Sequence, residues 1–112
     1  MSGLLTTHVL DTSAGRPAAG VRIELARLDG DRREILRRVT TNAGGRTDEP
    51  LLADGELAAA EYELVFALGE YFGPDVGFLG TVPVRFTVTD AEAHYHVPLL
   101  ASPWSYTTYR GS

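Results

Sequence analysis

Hydrophobic and polar residues alternate along several short stretches of the chain, with a period of two. Residues 61–68 read EYELVFAL and residues 81–89 read TVPVRFTVT, so a large apolar side chain occupies every second position of each stretch. Successive side chains of a β-strand point to opposite faces, and such alternation therefore places one face of each segment in a core. The pattern predicts a chain built mainly of β-strands.

Turn-forming residues separate these stretches. Gly, Pro, Asp, Asn and Ser recur in segments 13–20, 28–31, 41–46, 68–77 and 102–105, where they favour tight changes of direction. One short helix is expected within 69–76 or 53–60. We predict about eight strands, at residues 4–11, 20–28, 33–41, 46–52 (a short one), 61–68, 81–89, 93–101 and 105–110.

Short strands at this spacing are typical of an all-β fold, a two-sheet antiparallel β-sandwich. The length of 112 residues fits a single domain that covers residues 1–112. Such sandwiches serve as binding modules, carriers and enzymes, so the fold alone does not identify a function. The candidate site residues must therefore indicate which of these functions the chain has.

The composition excludes several classes of function. The formal net charge of −5 argues against nucleic acid as a partner. All ten basic residues are arginine, so no lysine is available for Schiff-base chemistry. The absence of cysteine removes disulfides, thiol nucleophiles and thiolate ligands. No stretch approaches the ~20 apolar residues of a membrane span, and the first residues lack the features of a signal peptide, so we expect a cytoplasmic protein without a membrane partner.

The chain contains three histidines, His8, His94 and His96. His8 lies within a predicted strand, where a lone histidine is more often structural than functional. His94 and His96 are two residues apart in the segment HYHVPLL, so they project from the same face of a strand. A His-x-His pair on a strand can hold zinc, with His8 as a third ligand. Because the sequence shows no nearby carboxylate or fourth ligand, we predict no metal and keep the zinc site as an alternative.

Two further segments carry candidate binding residues. Arg46 follows Gly44 and Gly45 in TNAGGR, and a guanidinium fixed after a tight turn can bind a planar, oxygen-rich ligand in a forked geometry. The final segment YTTYRGS combines aromatic rings, an arginine and a serine. A frayed chain end is usually polar and dispensable, whereas a rigid strand would hold Ser112 at a fixed point.

Three segments together resemble the transthyretin-like 5-hydroxyisourate hydrolases. They are LTTHVLDTSAGRPAAGV near the start, TNAGGR in the middle and HYHVPLLASPWSYTTYRGS at the end, and the resemblance covers essentially the whole chain in order. The final YRGS is the most specific element, since the transthyretins share the sandwich but lack that ending. One departure lies before Arg46, where Gly44-Gly45 stands in place of the family's frequent acidic residue followed by glycine.

The resemblance implies an enzyme of urate breakdown that needs no cofactor. Its reaction would open the six-membered ring of 5-hydroxyisourate at the N1–C6 amide bond and give 2-oxo-4-hydroxy-4-carboxy-5-ureidoimidazoline. It also implies a homotetramer, a dimer of dimers, with active sites where the dimers meet. His94 would have a supporting role. The residues that match the family's site motifs are His8, Arg46, His96, Tyr109, Arg110 and Ser112.

The chemistry of these residues favours direct attack by water, because there is no thiol and no serine has a neighbouring base in the sequence. Histidine is the natural base near neutral pH, and we assign that task to His8 and His96 together, without deciding which one takes the proton. Arg46 is the first candidate to stabilise the oxyanion and Arg110 the second. Tyr109 is expected to bind the substrate ring, and Ser112 to form a hydrogen bond with the substrate or the attacking water.

Three other functions stay open at this stage. A small-molecule carrier of the transthyretin type would need an apolar channel, which three histidines and two arginines fit poorly. A metal-dependent hydrolase would use the three histidines as ligands. A structural, adhesion-like sandwich is a more distant possibility.

Overall fold

The computed structural model describes residues 2–112. Eight strands dominate it, and a short helix, α1 (Leu68–Phe72), is followed by a 3-10 turn at Pro74–Val76. The strands are β1 (Leu4–Asp11), β2 (Arg16–Pro17), β3 (Arg22–Asp29), β4 (Arg32–Thr40), β5 (Ala60–Ala67), β6 (Thr81–Val88), β7 (His94–Ala101) and β8 (Tyr106–Thr108).

The strands form two four-stranded sheets, in the orders β2-β1-β7-β8 and β4-β3-β5-β6. The predicted two-sheet sandwich is therefore confirmed, with one difference in strand direction. β1 and β7 run parallel, with Thr6 opposite His96, while the other pairs are antiparallel. This parallel pair brings the first and last long strands side by side, and it places the two histidine-containing segments next to each other.

Seven predicted strands match observed ones to within two residues at each end. The strand predicted at 46–52 is wrong, because this segment bends and makes only an isolated bridge between Leu5 and Leu52. The two-residue strand β2 was not predicted. The helix α1 begins one residue before the first predicted window, 69–76, and ends within it, and residues 53–60 contain no helix.

The core lies between the two sheets and contains the inward half of each alternating pattern. Leu5 and Val9 of β1, Tyr62 and Phe66 of β5 and Leu99 of β7 are fully buried there. Burial of such side chains contributes about 1.5–3 kcal/mol each to the free energy of folding. The outward residues of β1 and β7 are consequently free to form a site on the outer face of the first sheet.

Within residues 2–112, no helix is long and apolar enough to cross a membrane.

Candidate active site

Four polar side chains share the outer face of the β1–β7 pair. Thr6 and His8 alternate with buried residues of β1, and His94 and His96 alternate with buried residues of β7. The parallel register puts Leu4 beside His94 and Thr6 beside His96. The pattern with a period of two in each strand therefore aims these polar side chains away from the core, toward one region of the surface.

A cleft of about 400 Å³ lies at this surface. Its walls come from the outer face of the first sheet, from the segment after the TNAGGR turn and from the last residue. A slightly larger hollow of about 500 Å³ lies on the outer face of the other sheet, but none of its lining residues is a histidine. The residues that line the histidine cleft are Thr6, Thr7, Arg46, Thr47, Asp48, Glu49, Pro50, His94, His96 and Ser112.

The turn that carries Arg46 is closed by Asn42. The Asn42 side-chain oxygen accepts hydrogen bonds from the backbone N–H groups of Gly44 and Arg46, at 2.9 and 3.2 Å. Gly45 has a φ of +74°, and a Cβ there would lie 2.4 Å from the Val9 carbonyl oxygen, so only glycine fits. Its own carbonyl accepts the Val9 N–H at 2.8 Å, which fixes the turn to β1.

Arg46 is exposed, and within the described chain its guanidinium has no hydrogen-bond or ion-pair partner. It is close enough to His8 and His96 to lower the pKa of both. A guanidinium that extends from a fixed backbone turn and has no partner among the described residues is available to bind an oxygen-rich ligand in the cleft.

His8 does not line the cleft but adjoins it, on the same face of β1 as Thr6. Its Nε2 lies 2.9 Å from the Gly44 carbonyl oxygen, and a carbonyl can only accept, so Nε2 carries a proton. Burial, and next the charge of Arg46, lower the pKa of His8 below its usual 6.5, and the Gly44 bond opposes them. His8 is therefore neutral at pH 7, with an unprotonated Nδ1 that has no partner among the described residues.

His96 is held from three sides. Its Nδ1 lies 2.9 Å from the Thr6 hydroxyl, and its backbone carbonyl accepts the Gly111 N–H at 2.7 Å. Gly111 is so close that a Cβ on it would lie 2.5 Å from the His96 ring atom Cδ2. Burial is the largest cause that lowers the pKa of His96, followed by the charge of Arg46. The glycine of YRGS thus allows the chain to pass directly against the imidazole, and Ser112 follows it into the cleft.

A family model described as the HIUase/Transthyretin family matches residues 5–111. The chain belongs to the HIUase/Transthyretin family. The 5-hydroxyisourate hydrolase 2 of Rhizobium meliloti (strain 1021) is 56% identical over 117 aligned residues, which cover 99% of this chain and 98% of that protein.

Solved structures place the fold in the same family. The 5-hydroxyisourate hydrolase of Klebsiella pneumoniae matches with a TM-score of 0.82 at 36% identity, over 97% of this chain and 99% of that one. Sea bream transthyretin, solved in complex with thyroxine, matches with a TM-score of 0.86 at 26% identity, over 96% and 93% of the two chains. Backbone similarity therefore does not separate the hydrolases from the transthyretins, whereas sequence identity is higher to the hydrolases.

Tyr109 and Arg110 were also predicted as site residues, because they match the family's motif at the end of the chain. In the single chain neither of them lines the histidine cleft. Arg110 lies 4.1 Å over the ring of Tyr95, and its Nη2 is 3.4 Å from the His94 carbonyl oxygen. Both Tyr109 and Arg110 line a separate apolar hollow of about 140 Å³, together with Phe86 of β6 and Tyr95 of β7. The structure thus brings together His8, Arg46, His96 and Ser112, with His94 beside them. Tyr109 and Arg110 line the separate apolar hollow instead.

Sequence reasoning missed Thr6. Its hydroxyl lies 2.8 Å from His94 Nε2 as well as 2.9 Å from His96 Nδ1. The alternation in LTTHVLDT does place Thr6 on the same face as His8, but its contact with β7 depends on a pairing between segments about 90 positions apart, which no local pattern specifies.

Metal ligation was kept as an alternative for the three histidines. Among residues 2–112, no group of three or more His, Cys, Asp or Glu side chains is arranged to hold a metal ion.

Proposed function

We propose that this protein is a 5-hydroxyisourate hydrolase, which opens the six-membered ring of its substrate at the N1–C6 amide bond. The observation that carries the proposal is the meeting of His8, Arg46 and His96 beside one cleft, in a chain that is 56% identical to a protein of that name. The product is 2-oxo-4-hydroxy-4-carboxy-5-ureidoimidazoline, and the reaction needs only water as a second substrate.

His8 is the general base in this proposal. Because Nε2 donates to the Gly44 carbonyl, the lone pair of the neutral ring lies on Nδ1, where it can accept a proton from the attacking water. The hydrogen bond also holds the ring in one orientation, so the base needs no reorganisation before the reaction. The resulting hydroxide attacks C6 of the substrate.

Arg46 stabilises the negative charge that develops on the carbonyl oxygen during this attack. Its guanidinium lacks a competing partner within the described residues and is carried by the rigid turn built on Asn42 and Gly45. Removing one such donor costs about 3 kcal/mol in the transition state. Ser112 lines the same cleft, where it would form a hydrogen bond with the substrate or the water.

The proposal includes a homotetramer, a dimer of dimers, with active sites between subunits. The cleft of the single chain is open to solvent, and Arg46 is exposed, so a second copy placed over this face would exclude water and strengthen the electrostatic interactions. Tyr109 and Arg110 would contribute to substrate binding in such an assembly.

The direct experiment is to generate 5-hydroxyisourate with urate oxidase and to follow the decay of its ultraviolet absorbance. Purified protein, with a chelator and without added metal, should accelerate the decay far beyond the spontaneous rate. If folded protein leaves the decay unchanged, the proposal is wrong and a carrier function becomes the better explanation. If chelator abolishes the activity and metal restores it, the metal-dependent hydrolase is supported instead.

Variants tested in the same assay address the roles of the residues. His8→Ala and His96→Ala should each lower kcat by about 10²–10⁴-fold, and Arg46→Gln should lower kcat/KM by about 10²-fold or more. Arg27→Gln is the matched control, since Arg27 is an exposed arginine on the other sheet. His94→Ala should cost less than His96→Ala, and equal severe losses together with stoichiometric zinc would contradict the metal-free mechanism.

A further inference from the structure

The Thr6 hydroxyl lies between two of the three histidines. Its single hydroxyl oxygen is 2.8 Å from His94 Nε2 and 2.9 Å from His96 Nδ1, and the two rings are 6.4 Å apart, centroid to centroid. His94 is exposed, whereas His96 and Thr6 are partly buried. The three groups all line the cleft, and they form a continuous hydrogen-bonded chain from the solvent-exposed His94 to the partly buried His96.

The number of protons limits how these bonds can be made. A hydroxyl donates one hydrogen bond, so Thr6 can donate to only one of the two rings, and the other ring must donate to Thr6 if both bonds are kept. When the Thr6 proton points to His96, Nδ1 of His96 is unprotonated and its single ring proton lies on Nε2. Nε2 of His94 must then carry a proton that it donates to Thr6.

A His96 ring that is protonated on Nε2 would complement His8, because one histidine could then act as the base and the other as the acid. His8 is fixed with its lone pair on Nδ1 by the Gly44 carbonyl, which gives the site a base. Hydrolysis of an amide also needs an acid, because the departing nitrogen must take up a proton when the C–N bond breaks. A His96 that carries its proton on Nε2, with no partner for that nitrogen among the described residues, is able to supply it.

We propose that His94, Thr6 and His96 form a proton relay, in which His96 is the general acid and Thr6 is the positioning residue that fixes its tautomer. The inference rests on the proposed function and assigns the second half of its mechanism. Thr6 and His94 do not touch the reacting atoms in this proposal and act through His96.

The proton transfers balance along this chain. The attacking water gives one proton to His8 Nδ1, and its hydroxide forms the new C6–O bond. As the C6–N1 bond breaks, N1 takes the proton of His96 Nε2. The Thr6 proton moves to His96 Nδ1, the His94 Nε2 proton moves to Thr6, and His94 takes one proton from solvent at Nδ1. His8 later returns its proton to solvent. To reset the tautomers, His96 Nε2 takes a proton from water in the emptied cleft, the His96 Nδ1 proton returns to Thr6, the Thr6 proton returns to His94 Nε2, and His94 releases its Nδ1 proton to solvent.

The first test is made on the protein without substrate. Nitrogen-15 NMR of labelled wild-type protein near neutral pH should show His96 Nδ1 as an unprotonated nitrogen that accepts a hydrogen bond, and Nε2 as protonated. In Thr6→Val the Nδ1 signal should move to the position of an unprotonated nitrogen without a donor. A wild-type His96 that is protonated at Nδ1 would overturn the proposal, whether or not the Thr6 variant folds.

The second test uses kinetics. Thr6→Val, which keeps the shape but loses the hydroxyl, should lower kcat roughly 10-fold with KM unchanged, less than the 10²–10⁴-fold effect of losing the acid itself. Thr6→Ser should restore kcat. Thr12→Val is the matched control, because the Thr12 hydroxyl donates to the Ala101 carbonyl at 3.1 Å, beyond the far end of the same strand pair, and its activity should equal that of the wild type.

A double-mutant cycle separates a relay from simple packing. If Thr6 and His94 act in one chain, Thr6→Val combined with His94→Ala should cost about as much as either change alone. Additive losses, or a Thr6→Val variant as active as Thr6→Ser, would refute the relay. A wild-type protein that does not accelerate 5-hydroxyisourate decay would refute the proposed function instead, and the NMR result would still decide the arrangement of Thr6 and His96.

Discussion

His8 and His96 both have a pKa below the usual value of 6.5, mainly because burial disfavours the charged imidazole and next because of the charge of Arg46. Protonation of His8 would occupy the Nδ1 lone pair and remove the base, whereas a protonated His96 would keep its proton on Nε2 and lose only the hydrogen bond that Thr6 donates to Nδ1. We therefore expect the acidic limb of a plot of kcat/KM against pH to have its midpoint below pH 6.5. The proton binds less tightly to these rings in the folded state than in the unfolded state, so their contribution to stability also falls as the pH drops below 6.5.

The charge of Arg46 can be tested separately from its role in catalysis. In Arg46→Gln the pKa of both histidines, followed by NMR titration, should rise, whereas Arg27→Gln should leave both unchanged. A midpoint of the acidic limb at or above pH 6.5 in the wild type, or histidines that do not respond to Arg46→Gln, would contradict this account.

Gly111 is the residue whose replacement tests the fit of the chain against His96. A Cβ at this position would lie 2.5 Å from Cδ2 and 3.2 Å from Cγ of the imidazole, so Gly111→Ala has to displace either the His96 ring or the chain end that carries Ser112. Because a displacement of about 1 Å can cost 10²-fold in rate, we expect kcat to fall by about 10–100-fold.

The melting temperature of Gly111→Ala should change little, because the core between the sheets is not involved. Gly80→Ala is the matched control, since within residues 2–112 no atom beyond its chain neighbours lies within 4 Å of the Cβ it would gain. Unchanged kcat in Gly111→Ala would show that the close fit between Gly111 and the His96 ring is not critical.

Single residues also mark the limit of what the sequence could predict about the site. His8 and His96 were found because the chain has only three histidines, and Arg46 because it follows a Gly-Gly turn; all three also fall in segments that resemble the family's motifs. Thr6 resembles the ordinary threonines of many strands, and the role proposed for it depends on its position between two imidazole rings, which only the folded chain reveals. For Tyr109 and Arg110 the sequence indicated a site residue, but the single chain places them along an apolar hollow beside Phe86.

At the scale of elements, strand bounds were predictable and strand partners were not. The bounds of β1 agree at both ends with the alternation in LTTHVLD and the turn residues that follow. Alternation has no direction, however, so it could not show that β1 and β7 pair in parallel. The segment 46–52 was expected to be a strand, but its backbone forms ladder-type bonds only where Leu51 and Leu52 meet Leu5.

β5 shows how a residue on the outward face can still be buried. Glu63 faces away from the core, yet only 6% of it is exposed, because two arginines cover it. Its carboxylate accepts hydrogen bonds from Nε of Arg33 on β4 at 2.9 Å and Nε of Arg85 on β6 at 2.8 Å. The hydrogen bond from Arg85 is the first cause that holds the pKa of Glu63 below 4.5. This ion-pair group joins β5 to its neighbour β6 and to β4, which lies one strand further away, beyond β3.

Glu63→Gln should therefore lower the stability of the second sheet. Loss of charge-assisted hydrogen bonds at a buried carboxylate costs about 1–3 kcal/mol, which urea unfolding at pH 7 would detect. Because a depressed pKa stabilises the fold above the unfolded-state pKa, the difference from wild type should shrink as the pH falls below 4.5. Glu61→Gln is the control, since Glu61 is exposed on the same strand face. A difference that persists unchanged in acid would mean that packing, and not charge, explains the effect.

At the scale of the whole molecule, two unpaired strand edges lie beside exposed aromatic side chains on one side of the sandwich. β8 and β6 are each the last strand of their sheet, and the apolar hollow that holds Phe86, Tyr95 and Tyr109 lies between them. Tyr106 of β8 is 43% exposed and Tyr109 beside it is 57% exposed. Unpaired strand edges next to exposed apolar side chains are a surface that soluble proteins usually cover.

We expect a second copy of the chain to cover this side, as one step in assembling a homotetramer of four times the 12.1 kDa chain mass. Closed assemblies with two-fold symmetry are the usual arrangement for soluble proteins.

The mutation Tyr106→Asp tests this assembly, because it places a charge beside the unpaired edges of β8 and β6. It should reduce the mass measured by light scattering, with a parallel loss of activity if the site lies between subunits. Ile35→Asp is the matched control, because Ile35 is 41% exposed on the opposite edge strand, β4, and its mass and activity should equal those of the wild type. A wild-type protein that scatters as a monomer and remains fully active on dilution would show that one chain contains the complete site, and the contribution of Tyr109 and Arg110 across a subunit boundary would then be excluded.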